Sequence, residues 1–162
     1  MATKLTEHFT LSELTFTQQR KLNNTPDATA LLNLKDLAEK LEEIRELFGC
    51  SIRINSGYRS PAVNRKVGGS KNSQHQDGTA ADILILNDKS LVENFRDILD
   101  SGIEFDQIIF EYGAWIHISI PRIDQIDPDT QEITRKRPRR SVLMIGEFTN
   151  GKYTPFDASK VP

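Results

Sequence analysis

Residues Ser73 to Asp82 read S-Q-H-Q-D-G-T-A-A-D. The imidazole of His75 and the carboxylate of Asp82 stand seven positions apart, across a turn marked by Gly78 and closed by Thr79, Ala80 and Ala81. Ala80 to Leu86 is a short apolar run bounded by turn residues, which reads as a buried strand. Asp82 is then a charge built into an apolar strand, which is costly unless a metal or a partner compensates it. The polar run Gly68 to Gln76 opens on paired glycines and reads as a loop that delivers His75 to the edge of that strand.

Upstream, Thr10-Leu11-Ser12-Glu13 has the pattern of a capping box, with Phe9 placed to pack on the first turn of a short helix. Thr25 is the expected N-cap of a second helix, with Pro26 at its first position. In that helix Leu31, Leu34, Leu37, Ala38, Leu41, Ile44 and Leu47 recur at three- and four-residue spacing up to Gly49, the mark of a core-packing face. Ile52 and Ile54 alternate with Arg53 in a strand that ends at Asn55-Ser56-Gly57, and Ser60-Pro61 starts a brief helix stopped by Gly68-Gly69.

Downstream, Leu91, Phe95, Ile98 and Leu99 mark an amphipathic helix stopped by Gly102. Asp106 to Glu111 and Trp115 to Ile120 read as two strands of a hairpin joined by Tyr112-Gly113-Ala114. Alternation in the second puts Ile116, Ile118 and Ile120 on one face and Trp115, His117 and Ser119 on the other, so His117 faces the less apolar side. After a polar excursion from Arg122 to Arg140, Ser141 to Phe148 supplies a last strand. Helices gathered early and strands gathered later predict an α+β fold, with a largely antiparallel sheet and helices on one side.

The chain has 162 residues, 37% hydrophobic and 27% charged, which fits a single domain with a core large enough to need no staples. A net charge of −2 gives no electrostatic reason to expect nucleic acid or an anionic membrane as partner. The basic cluster Arg135 to Arg140 follows Asp124, Asp127, Asp129 and Glu132 and reads as a solvated loop. The lone Cys50 excludes an intramolecular disulfide and reads as a small core residue at a strand start. No signal-peptide core and no run of about 18 apolar residues is present, so a soluble chain made in the cytoplasm is expected, as a monomer.

His75, Asp82 and His117 form a three-ligand N/O set with room for water, which is what a catalytic zinc site needs; a structural site would be closed and richer in cysteine. The stretch Ser73 to Asp82 also fits the S-x-H-x-x-G-x-A-x-D signature of the zinc peptidases that include D-Ala-D-Ala carboxypeptidases, vancomycin-resistance dipeptidases and phage L-alanyl-D-glutamate endopeptidases. Trp115-Ile116-His117 resembles the second motif of that family, and Ser56 to Pro61 (S-G-Y-R-S-P) resembles its S-G-Y-R-S motif. His8 to Leu14 is similar to the opening of its small phage and bacterial members, so the resemblance runs from about residue 8 to residue 120.

The resemblance implies the hedgehog-like zinc peptidase fold, Zn2+ held by His75, Asp82 and His117, and Arg59 stabilising the oxyanion or holding the substrate carbonyl. Many relatives carry an acid three positions before the last histidine, where this chain has Ala114; Glu111, six positions before His117, is the expected general base, with Asp77 and Asp106 as weaker substitutes. His8 reads as a surface or capping histidine, and Ser73 as a brace for the loop or for a carboxylate. Trp115 lines the cleft or packs under the sheet, and Asn64 and Gln107 are candidates for supporting the ligands. The implied activity is hydrolysis of peptidoglycan stem peptides, as endopeptidase or carboxypeptidase, by a phage lysis enzyme or virion-associated hydrolase. A cytoplasmic enzyme acting on soluble wall peptides is the alternative within that class. A non-catalytic metal-binding or peptidoglycan-binding module is the alternative outside it.

Overall fold

The computed structural model describes residues 2–162. Helix α1 (Leu11–Leu14) has the expected capping box: the Glu13 amide donates to the Thr10 hydroxyl, and the Thr10 amide donates back to the Glu13 carboxylate at 2.9 Å. Helix α2 (Ala28–Phe48) begins two residues later than Thr25-Pro26 suggests. The Thr25 amide is taken by the Asn23 side chain, and Asp27 is the N-cap, accepting from the Ala30 amide at 2.7 Å. A carboxylate there both satisfies an orphan donor and faces the positive end of the helix. Gly49 closes α2 in the left-handed conformation, φ 62°. Leu34, Leu37, Ala38, Leu41 and Ile44 are fully buried, whereas Leu47 lies exposed and Phe48 packs on the core in its place.

Strand β1 (Ile52–Ser56) follows, with Cys50 half-buried two residues before it, and then helix α3 (Pro61–Lys66), capped by Ser60 as expected. Strand β2 (Ala80–Ile85) stops one residue short of the apolar run, leaving Leu86 exposed. Helix α4 (Leu91–Asp100) and the hairpin β3 (Gln107–Glu111) and β4 (Trp115–Ser119) match their expected positions to within one residue. Lys136 to Arg140 have no regular structure, and all of them but Pro138 are exposed, as expected of a solvated loop. The wider segment 122–140 nevertheless holds a two-stranded ribbon, β5 (Ile123–Ile126) and β6 (Ile133–Arg135), and three of its arginines are tethered: Arg135 to Asp36 and Asn33, Arg139 to Asp106 and Gln74, Arg122 to Asp77. Strand β7 (Ser141–Ile145) is shorter than expected, ending before a single 3-10 turn, and a two-residue strand β8 (Thr154–Pro155) adds an edge.

These strands form a six-stranded sheet in the order β1-β2-β4-β3-β7-β8, antiparallel except for the β3–β7 pair. The fold is mixed α+β with a mostly antiparallel sheet, as the sequence predicts. Strand β4 ends and β7 begins beside Gln107, so the chain leaves the sheet and returns to it at the same end, passing β3. The ribbon spans that return, and the Ser141 amide donates to the Asp106 carbonyl at 3.0 Å where β7 starts.

Alternation divides the sheet into two faces. Ala81, Ile83, Ile108, Phe110, Ile116 and Ile118 enter the core with the buried faces of α2 and α4. Phe95 of α4 meets Phe110 edge-on at 5.7 Å between ring centroids. Asp82, His117 and Glu111 occupy the intervening positions and so belong to the opposite face. Among the described residues no helix is long and apolar enough to cross a membrane.

Removing a fully buried side chain from α2 tests where the core lies. Leu37→Ala should cost about 2–5 kcal/mol in urea unfolding; a loss within experimental error would contradict this packing.

Candidate metal centre

Asp82 and His117 are direct partners across the antiparallel β2–β4 pair, so register alone aims both side chains at the same face. His75 comes from a single-turn 3-10 helix, Gln74–Asp77, not from an irregular loop. Ser73 caps it, its hydroxyl accepting from the His75 amide at 3.3 Å, which is the bracing role expected of that serine. Gly78 ends the turn at φ 73°, and a Cβ there would lie 2.8 Å from the Ala30 carbonyl oxygen, so the turn can press against α2 only with glycine.

His75 Nε2 and His117 Nδ1 converge on one oxygen, Asp82 Oδ1, at 3.2 and 3.1 Å. The three residues are 3%, 5% and 6% exposed, and one ligand atom from each lies within 4.8 Å of the others. His75 Nδ1 lies 2.7 Å from the Gly57 carbonyl oxygen, an acceptor, so Nδ1 carries the hydrogen. With Nδ1 committed to that carbonyl, Nε2 is the ring nitrogen that faces the carboxylate, and the nitrogen, oxygen and nitrogen donors fit a metal ion of zinc's kind. Burial pushes the Asp82 carboxyl up, but the charges and hydrogen bonds of the two imidazoles outweigh it and hold the group well below 3.8. Asp82 is therefore ionised, as a ligand must be.

Arg59 lies on the other oxygen of Asp82. Its Nη2 donates to Oδ2 at 3.0 Å and its Nε to the Ser56 hydroxyl at 2.9 Å, while its backbone amide donates to the His75 carbonyl. It is thus a half-buried ion pair beside the ligands and not a surface salt bridge.

Glu111 ends β3 opposite Trp115. Its Oε1 lies 3.9 Å from His117 Nδ1, and its Oε2 accepts from the Trp115 indole at 3.0 Å. Trp115 therefore lines the site and orients the acid. Burial, then the nearby negative charge of Asp82, pushes the Glu111 carboxyl above 4.5. The bend that follows Glu111 holds Tyr112 and Gly113 at φ 56° and 63°, and the Tyr112 ring lies 5.5 Å from that of Trp115. The two weaker candidates are committed elsewhere: Asp106 to Arg139 and Gln74, Asp77 to Arg122. Of the three acids only Glu111 comes within 4 Å of a triad nitrogen among the described residues.

The triad opens into a cleft of about 860 Å³ whose walls include Arg59, Glu111, Trp115, Gln107, Arg139 and Tyr153. Asn64 does not support the ligands; its amide donates to the Ser70 carbonyl and holds the preceding loop. His8 pairs with the Glu42 side chain of α2 at 2.9 Å, a surface contact outside the site. Three site features are absent from the sequence reading: the Gly57 carbonyl that fixes the His75 tautomer, the Gln74–Asp106–Arg139 network, and Tyr153. Gly57 and Gln74 lie inside motifs already visible, whereas Arg139 and Tyr153 carry no local signal.

Residues 7–119 match the Peptidase M15 family, and this chain belongs to it. The buried His75–Asp82–His117 group can hold a metal ion and agrees with membership of a metallopeptidase family. No curated protein matches the chain significantly.

Two outcomes test this geometry. A Cβ at Gly57 would lie 2.3 Å from the Leu14 carbonyl oxygen, so Gly57→Ala should destabilise the fold by about 1–3 kcal/mol in thermal unfolding; unchanged stability would contradict the close approach. Asp106 is pushed up by burial but held below 3.8 overall by its bonds to Arg139 and Gln74, so its stabilising contribution is present above that value and lost as the pH falls through its depressed value. The stability gap between wild type and Asp106→Asn should therefore be flat near neutrality and shrink only below about pH 4. A gap that widens on acidification would contradict the pairing.

Proposed function

We propose that this protein is a zinc-dependent peptidase that hydrolyses the peptide stems of bacterial peptidoglycan. The observation that carries the reading is a buried His75–Asp82–His117 group at the floor of an open cleft, with the Glu111 carboxylate 3.9 Å from His117. Zinc held by the three side chains would supply Lewis acidity, polarising the scissile carbonyl and acidifying a water toward neutrality. Glu111 is the general base: Oε1 faces the ligands and takes the proton, while the Trp115 indole holds Oε2. The upward push on its carboxyl strengthens it as an acceptor and lets it return the proton to the leaving amine. Arg59 holds Asp82 in place through Oδ2 and is the cation in the cleft nearest the triad, available to charge developing on the carbonyl oxygen.

The likeness of the Ser56–Pro61 and Ser73–Asp82 motifs to those of wall peptidases supports stem peptides as substrate, cut in endopeptidase or carboxypeptidase mode. It equally supports a phage lysis enzyme or virion-associated hydrolase acting at the wall. Glu111→Gln should lower hydrolysis of sacculi or stem peptides by about 10²–10⁴-fold and retain one zinc per chain, whereas Asp82→Ala should lose the zinc. Full activity in the Glu111 variant would remove it from the mechanism. Zinc binding by wild type without cleavage of any wall peptide would favour a binding module, and cleavage of free peptides but not of sacculi would exclude the lysis role.

A further inference from the structure

We infer that Arg139 and Arg122, which lie outside the family-matched residues 7–119, are positioning residues that clamp the turn carrying His75 and thereby tune its metal affinity. This inference rests on the triad being a metal centre.

The turn Gln74–Asp77 is only four residues long, and its cap bond at 3.3 Å is at the long end of hydrogen bonding. So short an element has little order of its own, and its orientation must come from what grips it. One arginine holds each end. At the first, Arg139 Nη2 donates to Gln74 Oε1 at 3.0 Å, while Gln74 Nε2 donates to Asp106 Oδ2 at 3.0 Å and to the Ile120 carbonyl at 3.3 Å. Arg139 is itself fixed on Asp106, through its backbone amide at 2.9 Å and through Nε and Nη2 at 3.0 and 2.6 Å. At the other end, Arg122 donates from Nε to Asp77 Oδ2 and from Nη2 to the Asn72 carbonyl, at 2.5 and 2.6 Å.

The same end is held from behind. Asn33 of α2 donates to the Asp77 carbonyl at 2.8 Å and accepts from Arg135 Nη1 at 2.9 Å. Three arginines from the β4–β7 return therefore converge on one turn, directly or through Asn33. Groups that orient a metal's histidine ligands govern affinity, because the donor atom must be held to a fraction of an ångström.

A merely structural tie would lower the melting temperature of the metal-free protein and leave the zinc affinity of the folded protein unchanged. The experiment therefore measures both, by thermal unfolding of the metal-free protein and by zinc competition against a chelator below the melting range. It compares wild type with Arg139→Ala, Arg122→Ala, Arg139→Lys and Arg140→Ala. Arg140 pairs with Glu104 on the surface, 70% and 62% exposed, and serves as the control.

The expected result is zinc binding about tenfold weaker in Arg139→Ala and Arg122→Ala, part recovery in Arg139→Lys, and no change in Arg140→Ala. The visible spectrum of the cobalt-loaded Arg139→Ala protein should shift as well. Wild-type zinc affinity in the folded Arg139 and Arg122 variants would overturn the clamp and leave the metal centre standing. Should Arg139→Ala fail to fold, Arg139→Lys and Arg122→Ala decide the matter by the same criterion. Absence of zinc binding in wild type would overturn the metal centre and this inference together.

Discussion

A carboxylate buried between two imidazoles is the constraint on which this structure depends. Asp82 is 5% exposed in the middle of an apolar strand, a placement that would be strongly unfavourable for an unpaired charge. Everything around it compensates that cost. Strand register brings His117 opposite, the 3-10 turn brings His75 to the same oxygen, and Arg59 covers the second oxygen. The Gly57 carbonyl engages Nδ1 of His75, so that Nε2 points inward. Removing any one of these leaves a buried polar group without its partner, so the site and the local fold stand or fall together.

The sheet separates stability from chemistry by alternation. One set of residues on β2, β3 and β4 packs with α2 and α4; the intervening set carries Asp82, Glu111 and His117. A one-residue slip of β4 against β2 would send His117 into the core and Ile116 into the cleft, so the hydrophobic pattern that fixes the register also brings the candidate metal ligands Asp82 and His117 together. The return from β4 to β7 adds a second device. It stays at the end of the sheet where both strands meet Gln107, and it carries the arginines that reach the turn bearing His75.

Much of this was legible in the sequence, for reasons that can be named. Helix α2, the β3–β4 hairpin and the facing of His117 follow from periodicity, which is local; His75 and Asp82 lie in one short motif, and His117, 35 positions beyond Asp82, in a second. The nearness of Glu111 to His117 was legible in their spacing, and its hydrogen bond from Trp115 spans only four residues. What escaped depends on distant partners. Arg135 bonds Asp36 across 99 positions and Arg139 bonds Gln74 across 65, so the ties made by these two members of an otherwise exposed basic run carry no local signal. The start of α2 was misplaced because Thr25 and Asp27 are both good caps, and it is the Asp27 carboxylate that accepts from the amide three residues on, Ala30.

An X-ray absorption spectrum of the zinc-loaded protein tests most directly whether His75, Asp82 and His117 form one metal centre. The zinc should have first-neighbour nitrogen and oxygen scatterers at about 2.0–2.2 Å, with the outer-shell pattern of two imidazoles and no sulfur. A sulfur scatterer near about 2.3 Å, which would implicate Cys50, or a spectrum without imidazole, would contradict it.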